Sequence, residues 1–317
     1  MNALTKETIK NWRKIKREHV FVFFEKLRKN SLKIAADNFL LPSHEADGVF
    51  PKDNQAYVTH LFFECAVDFA STHFGGQRKD GSPLKFRSRT IFGKEIIGST
   101  AFAACFYRKF GERRIAAKDL LPHLSSLSRI KKFFRGYNSP PMIGERRELL
   151  IEVCETLDQY FMGDPWHILE EGRFWAYGDQ KNYLGVIELL KARFPKTFGR
   201  DTAALQDPSD VSKKLKFYFD KRAILFAILY QGRAEKYPRD LPPLRDIEEV
   251  AIAPDFQIPR SYVDEGIFIY SPELEDMIKR RRLIGSGSKM EVEIRGATVF
   301  ASVLELEIIN QERVKLG

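Results

Sequence analysis

The sequence predicts an all-α protein, folded as one compact multi-helix domain. Apolar residues recur at helical spacing through most of the chain, and strand-like alternation is scarce. The breaks in that pattern fall at glycine and proline, where helices end. The run AILFAILY (223–230) is apolar on every side, as expected of a central helix.

The periodicity predicts helices over 5–29, 54–72, 93–110, 116–135, 142–161, 164–172, 180–194, 210–231, 260–268, 271–283 and 288–312. Pro51 precedes the second and Gly75-Gly76 follows it. Gly111 and Gly136 close the third and fourth, and Gly163-Asp164-Pro165 separates the fifth from the sixth. Pro195 ends the seventh, and the eighth is followed by YPRDLPPLRD. The stretch 74–92, FGGQRKDGSPLKFRSRTIF, is predicted as a long irregular loop of the kind that serves as a lid or binding segment. Lys279-Arg280-Arg281-Arg282 lies where a helix should end, and cations there complement the helix dipole.

The last predicted helix opens with Ser288 as its cap and Glu291 in the capping-box position three residues on. Glu291 and Arg295, four apart, form a natural intrahelical pair. Glu293 points about 160° away from them on a helical wheel, towards Gly296, Ala297 and Phe300. A carboxylate on that small apolar face is harder to explain by solvation.

Hydrophobic content of 44% and charged content of 30% are those of a soluble globular protein. A net charge of +9 admits an anionic partner, but the lysines and arginines are dispersed rather than arranged in a stripe. Twenty-six phenylalanines promise flat apolar walls, which suit a planar ligand and, more commonly, plain packing. Cys65, Cys105 and Cys154 each fall inside an apolar helical pattern, without CxxC spacing, and read as buried thiols in a reducing compartment. Six histidines offer no ligand spacing for zinc. No segment approaches the roughly 20 apolar residues of a membrane span, and the short VFVFF run near the start is flanked by charges. The expectation is a cytoplasmic protein.

IAPDFQIPR (252–260) holds one carboxylate, Asp255, between two prolines in a mostly apolar run. Desolvating a carboxylate is costly unless it is paired or hydrogen-bonded, so Asp255 either begins a helix or is aimed at something. Lys221 shares a helical face with Phe217, Ile224, Leu225 and Ile228. Its stem is then buried, and its ammonium is either snorkelling or placed in an opening.

Taken together, FYFDKRA (217–223), APDFQIPR (253–260), Tyr270-Ser271 and MEVEIRG (290–296) resemble the queuosine salvage protein family, also described as queuosine 5′-phosphate N-glycosidases. The family's segments read approximately FYKRAQ, ADYRLPQ, YS and EVEIRG, in the same order and at similar spacing. Upstream the resemblance is looser, through PPMIGERRELLIEVCETLDQYF (140–161), ARFPKTFGRD (192–201), similar to the family's FPSYRD, and AVDFAST (66–72), where the family carries TLNFSFW. The chain departs from the pattern at Asp220, Ile224, Gln257 and Arg260, and in lacking the DTW that follows the family's lysine.

The resemblance implies a helical fold related to that of DNA glycosylases, with residues 1–53 as an N-terminal helical extension and 54–317 as the catalytic region. It also implies hydrolysis of the bond between ribose and a 7-deazaguanine base, releasing queuine for tRNA modification. Asp255 then takes the catalytic position and Lys221 that of the active-site lysine. The candidate substrate contacts are Phe256, Arg260, Glu293, Arg295, Asp68, Phe69 and Arg222. No cofactor or metal is implied, and the expected partner is a nucleoside or nucleotide, with no stable nucleic-acid complex. Two other readings stay open: a nucleic-acid-binding or DNA glycosylase-like protein, since Leu283 to Gly287 resembles a helix-hairpin-helix turn, and a non-catalytic nucleoside-binding relative.

Overall fold

The structure, a computed structural model, describes residues 1–37, 48–179 and 182–316. It corrects the all-α expectation: helices take about 53% of the chain and strands 12%, and the fold is mixed α/β. Eight short strands among the described residues pair as four two-stranded antiparallel sheets. The chain divides into two compact units, the first comprising Met1–Leu41, Asp201–Lys221 and Glu248–Gly317, the second Pro42–Arg200 and Arg222–Ile247.

Some of the strands lie where a helix was expected, others in the stretch expected to be a loop or between expected helices. The helix predicted over 5–29 is two helices, Ala3–Lys14 and Phe24–Ala36, separated by the strand Val20–Val22, which pairs with Phe268–Tyr270. Alternating β-branched and aromatic side chains favour that strand locally, and a partner 250 residues downstream completes it. The predicted helix 210–231 starts only at Lys221. Residues Asp210–Tyr218 form a strand that pairs with Thr202–Asp207. There Leu215 and Phe217 face the core while Lys214 and Lys216 face solvent, a period of two. The 74–92 stretch contains parts of two further hairpins, and the helix after it begins at Ser99 rather than 93. Residues 180 and 181, the start of the predicted helix 180–194, lie outside the described residues, as do 38–47 of the predicted N-terminal extension. The observed helix there is Val186–Arg193.

In unit 1 the helix Lys289–Leu316 packs on Ala3–Lys14 and Phe24–Ala36. Ser288 caps it, its Oγ accepting from the Glu291 amide, while Glu291 accepts the amide of Gly287, one residue before the cap, instead of that of Ser288. Trp12, fully buried, stacks on Phe300 with ring centroids 4.5 Å apart. A Cβ on Gly296 would stand 2.5 Å from Trp12 Cδ1, so only glycine permits this approach. Ile9, Val20, Leu27, Phe217, Phe219, Phe268 and Val292 complete the core.

Unit 2 is built around the helix Asn54–Val67, buried from Ala56 to its end. Phe62 meets Phe194, Phe198 and Phe226 edge-on or tilted, at centroid distances of 5.7–5.9 Å. The helix Lys221–Lys236 buries Ala223, Phe226, Ala227 and Tyr230, in keeping with its apolar sequence. Phenylalanine is thus largely spent on packing.

Candidate active site

Asp255 lies in the irregular segment leading into the helix Gln257–Asp264. Its Oδ1 accepts the Gln257 amide at 2.6 Å, and its own amide donates to Ala253 O at 2.8 Å. The flanking prolines limit the backbone further, so the carboxylate is fixed by its own turn. Its Oδ2 stands 3.8 Å from Lys221 Nζ, with the two side chains 24% and 15% exposed. That separation is an ion pair wider than a hydrogen bond. Asp255 thus lies just before Phe256, the N-cap of this helix, and faces a cation.

Asp201 supports this pair. Its Oδ2 accepts the Lys221 amide at 2.8 Å, which fixes the first residue of the helix carrying the ammonium. The same carboxylate takes Arg295 in a two-pronged bond at 2.6 and 2.7 Å. Arg295 also donates to Pro254 O at 3.3 Å, directly before Asp255, and to Glu291 at 3.2 Å, and its guanidinium lies 4.0 Å from the Phe219 ring centroid. Burial alone would lower the pKa of Arg295, but Asp201 and Glu291 outweigh it and hold it above the ordinary value. The chain Asp201–Arg295–Pro254 therefore links the backbones that present Lys221 and Asp255.

The remaining unit 1 candidates are placed differently. Phe256 is 55% exposed beside Asp255. Arg260 is exposed on the following helix, 3.8 Å from Asp264. Glu293 is fully buried, and its carboxylate accepts the amides of Glu18, His19 and Val20 at 2.7–3.1 Å. It thereby anchors the start of the strand Val20–Val22.

In unit 2, Asp68, Phe69 and Arg222 come together around Arg146, a fully buried arginine the sequence reading overlooked. Arg146 lies between the rings of Phe69 and Phe102, at 4.2 and 4.4 Å, and donates to the carbonyls of Pro141 and Phe69. Burial pulls its pKa down to about 9, partly opposed by Asp68 and Glu145. Arg222 donates to Ala66 O at 3.0 Å, with its guanidinium 5.4 Å from the Phe69 centroid. Asp201 was likewise overlooked, although it closes the ARFPKTFGRD segment. Among the described residues no cluster of three histidine, cysteine or acidic side chains could hold a metal.

The family model described as queuosine salvage protein matches residues 73–315. The chain belongs to the queuosine salvage protein family. It is 31% identical over 163 residues to a queuosine 5′-phosphate N-glycosylase/hydrolase of Dictyostelium discoideum, covering 50% of this chain and 44% of that protein. With the protein of the same description from Sphaerobacter thermophilus it shares 29% over 212 residues, 66% of this chain and 59% of the relative. For that of Mus musculus the values are 27% over 197 residues, 60% and 51%. These matches span about half the length of the relatives. In this queuosine salvage family member, Asp201, Lys221, Asp255 and Arg295 all fall within the matched region, whereas Trp12 and the rest of the N-terminal helix lie before it.

Proposed function

We propose that this protein hydrolyses the N-glycosidic bond of queuosine 5′-phosphate or a related 7-deazaguanine nucleotide, releasing the free base for salvage into tRNA. The ion pair of Asp255 with Lys221, within one unit and on backbones tied by Asp201 and Arg295, is the observation that carries the reading. The names of the relatives supply the substrate.

The chemistry follows from the residue types. As the bond from C1′ to the base nitrogen breaks, its electron pair leaves with the base and positive charge builds on C1′. A fixed carboxylate beside that carbon stabilises the charge. Asp255 then takes a proton from the attacking water as the new C1′–O bond forms, and the departing base gains a proton in turn. Lys221 holds the carboxylate in position and supplies a donor at the same place. The base is the planar part of such a substrate, and the exposed Phe256 ring, next to Asp255, offers it a stacking face.

No helix among the described residues is long and apolar enough to cross a membrane. Three buried cysteines without disulfides support a reducing, cytosolic setting. The reading takes a nucleotide, not a stable nucleic-acid complex, as the partner. The test is incubation with queuosine, queuosine 5′-monophosphate, guanosine and a purine-containing oligonucleotide, followed by chromatography. Free base from the monophosphate is expected. Release from the oligonucleotide alone, or from none, would overturn the assignment.

A further inference from the structure

Unit 2 contains a cavity of about 690 Å³ that the hydrolytic reading does not use. Its walls come from the strand Arg87–Arg89, the helices Ser99–Phe110, Ala117–Leu124 and Leu127–Phe133, and the turn through Gly136 and Tyr137. Six cations line it, Arg89, Arg108, Lys109, Arg129, Lys132 and Arg135, and no carboxylate does. None of the six pairs with an acid among the described residues.

The ordinary explanation of such cations is a helix end. Lys109 and Lys132 do fall in the last turns of their helices, where they complement the dipole. Arg89 and Arg135 lie on no helix, yet they line the same concavity. Six like charges in one hollow repel one another, and no acid in the wall offsets them.

The hollow is also braced. Arg108 donates to Ser88 Oγ at 2.9 Å, Arg89 O at 3.3 Å and Arg135 O at 2.7 Å, which ties the strand, the helix and the turn together. Arg89, Lys109, Lys132 and Arg135 are left exposed on this frame. Tyr137, 56% exposed with the Arg87 guanidinium 5.3 Å from its ring centroid, stands at the rim. The pKa of His123 in the wall is lowered by burial, then by Lys109 and Arg129, as a positive field requires.

We propose that this cavity is a second ligand site, and that it takes a polyphosphate anion, with two or more phosphate groups in series. The charge exceeds what a single phosphate needs, since one or two donors hold a monophosphate. The volume suits a small molecule. The cations converge on a hollow instead of tracking a backbone, which separates this site from a nucleic-acid groove. Inorganic triphosphate and the phosphate chain of a nucleoside triphosphate share the chemistry.

The experiment titrates the full chain with inorganic triphosphate, ATP, AMP and a short single-stranded RNA, and repeats each titration on the double variant K109Q/K132Q. Saturable triphosphate binding, at least ~10-fold tighter than AMP, is expected, with a loss of ~10-fold or more in the variant. ATP binding like inorganic triphosphate places recognition in the phosphates alone, and ATP binding more tightly adds the base. AMP equal to triphosphate, RNA tighter than triphosphate with a steep salt dependence, or unchanged binding in the variant would overturn the proposal. Base release from the nucleotide substrate is expected to keep its kcat/KM in the variant. A raised KM there would make the cavity part of the hydrolytic site instead of a second one. The binding measurements stand whether or not base release is observed.

Discussion

Asp255 is held by its own turn, with Oδ1 taken by the Gln257 amide and Oδ2 facing Lys221. An asparagine retains the shape and an oxygen for the amide but loses the charge that the proposed mechanism places beside C1′. Asp255→Asn is therefore expected to fold and bind substrate normally while kcat falls by on the order of a hundredfold or more. Single-turnover base release beside a substrate titration separates the two effects, and an unchanged rate would move the chemistry to another residue. Asp255 stood out in the sequence as a candidate because two prolines and an apolar run leave an acid with few ordinary explanations. Asp201 did not, because it closes a loop without periodicity and its partner Arg295 is 94 residues away.

His60 shows a buried group controlling pH dependence. It is fully buried, its Nε2 lies 3.1 Å from Arg113 O, and Nδ1 has no hydrogen-bond partner among the described residues. A carbonyl only accepts, so Nε2 carries the proton of a neutral ring. Burial lowers the pKa from 6.5 to about 4, against smaller opposing effects from the Arg113 carbonyl and Glu112. The unfolded chain then takes up a proton at higher pH than the folded one. His60 contributes stability in full above pH 6.5, and that contribution is lost as pH falls towards 4, by about 3 kcal/mol over the window. His60→Gln, which keeps a donor but cannot titrate, should lose less stability over that range. Parallel stability curves for the two proteins would mean that water reaches the ring.

At the scale of elements, the helix Lys289–Leu316 carries both a link to the candidate site and a structural anchor. Arg295 reaches Asp201, while Glu293, two residues earlier, receives the amides of Glu18, His19 and Val20. Glu293→Gln turns one acceptor oxygen into a donor facing N–H groups and is expected to destabilise the protein by about 2–4 kcal/mol. Thermal unfolding and base release below the transition distinguish the roles. A lower Tm with retained kcat indicates an anchor, whereas an unchanged Tm with lost activity would return Glu293 to the substrate site. The helix and its cap were readable in the sequence because Ser288 is a local signal. The hairpin Thr202–Asp207 with Asp210–Tyr218 was not, because its alternating face runs directly into an apolar helix and the longer period dominates any wide window. The strand Val20–Val22 escaped for a related reason: three alternating residues are too few to outweigh the helical period around them, and its partner is distant in sequence.

At the scale of the molecule, residues 1–37 of the 1–53 segment read as an N-terminal extension are built into unit 1, while 48–53 belong to unit 2. Ile9, Trp12, Ile15, Val20 and Leu27 are all buried in the core of unit 1. At about 2 kcal/mol each, their removal costs about 10 kcal/mol, comparable to the whole stability of a typical domain. Deleting residues 1–36 is expected to give a chain that binds ANS and shows no cooperative transition for unit 1. A soluble, cooperatively folding and active truncation would show that the segment is dispensable.

The three-segment construction of unit 1 also sets an order of events during synthesis. All of unit 2 has been translated by Ile247, so it can close while the ribosome is still working. Unit 1 cannot, because Val20–Val22 waits for Phe268–Tyr270, and Trp12 and Glu18 wait for a helix that begins at Lys289. The helices Ala3–Lys14 and Phe24–Ala36 are thus translated well before the partners that bury them. Throughout that interval Ile9, Trp12, Val20 and Leu27, all buried in the finished core, are exposed on a nascent chain, where a chaperone that recognises apolar segments can bind them.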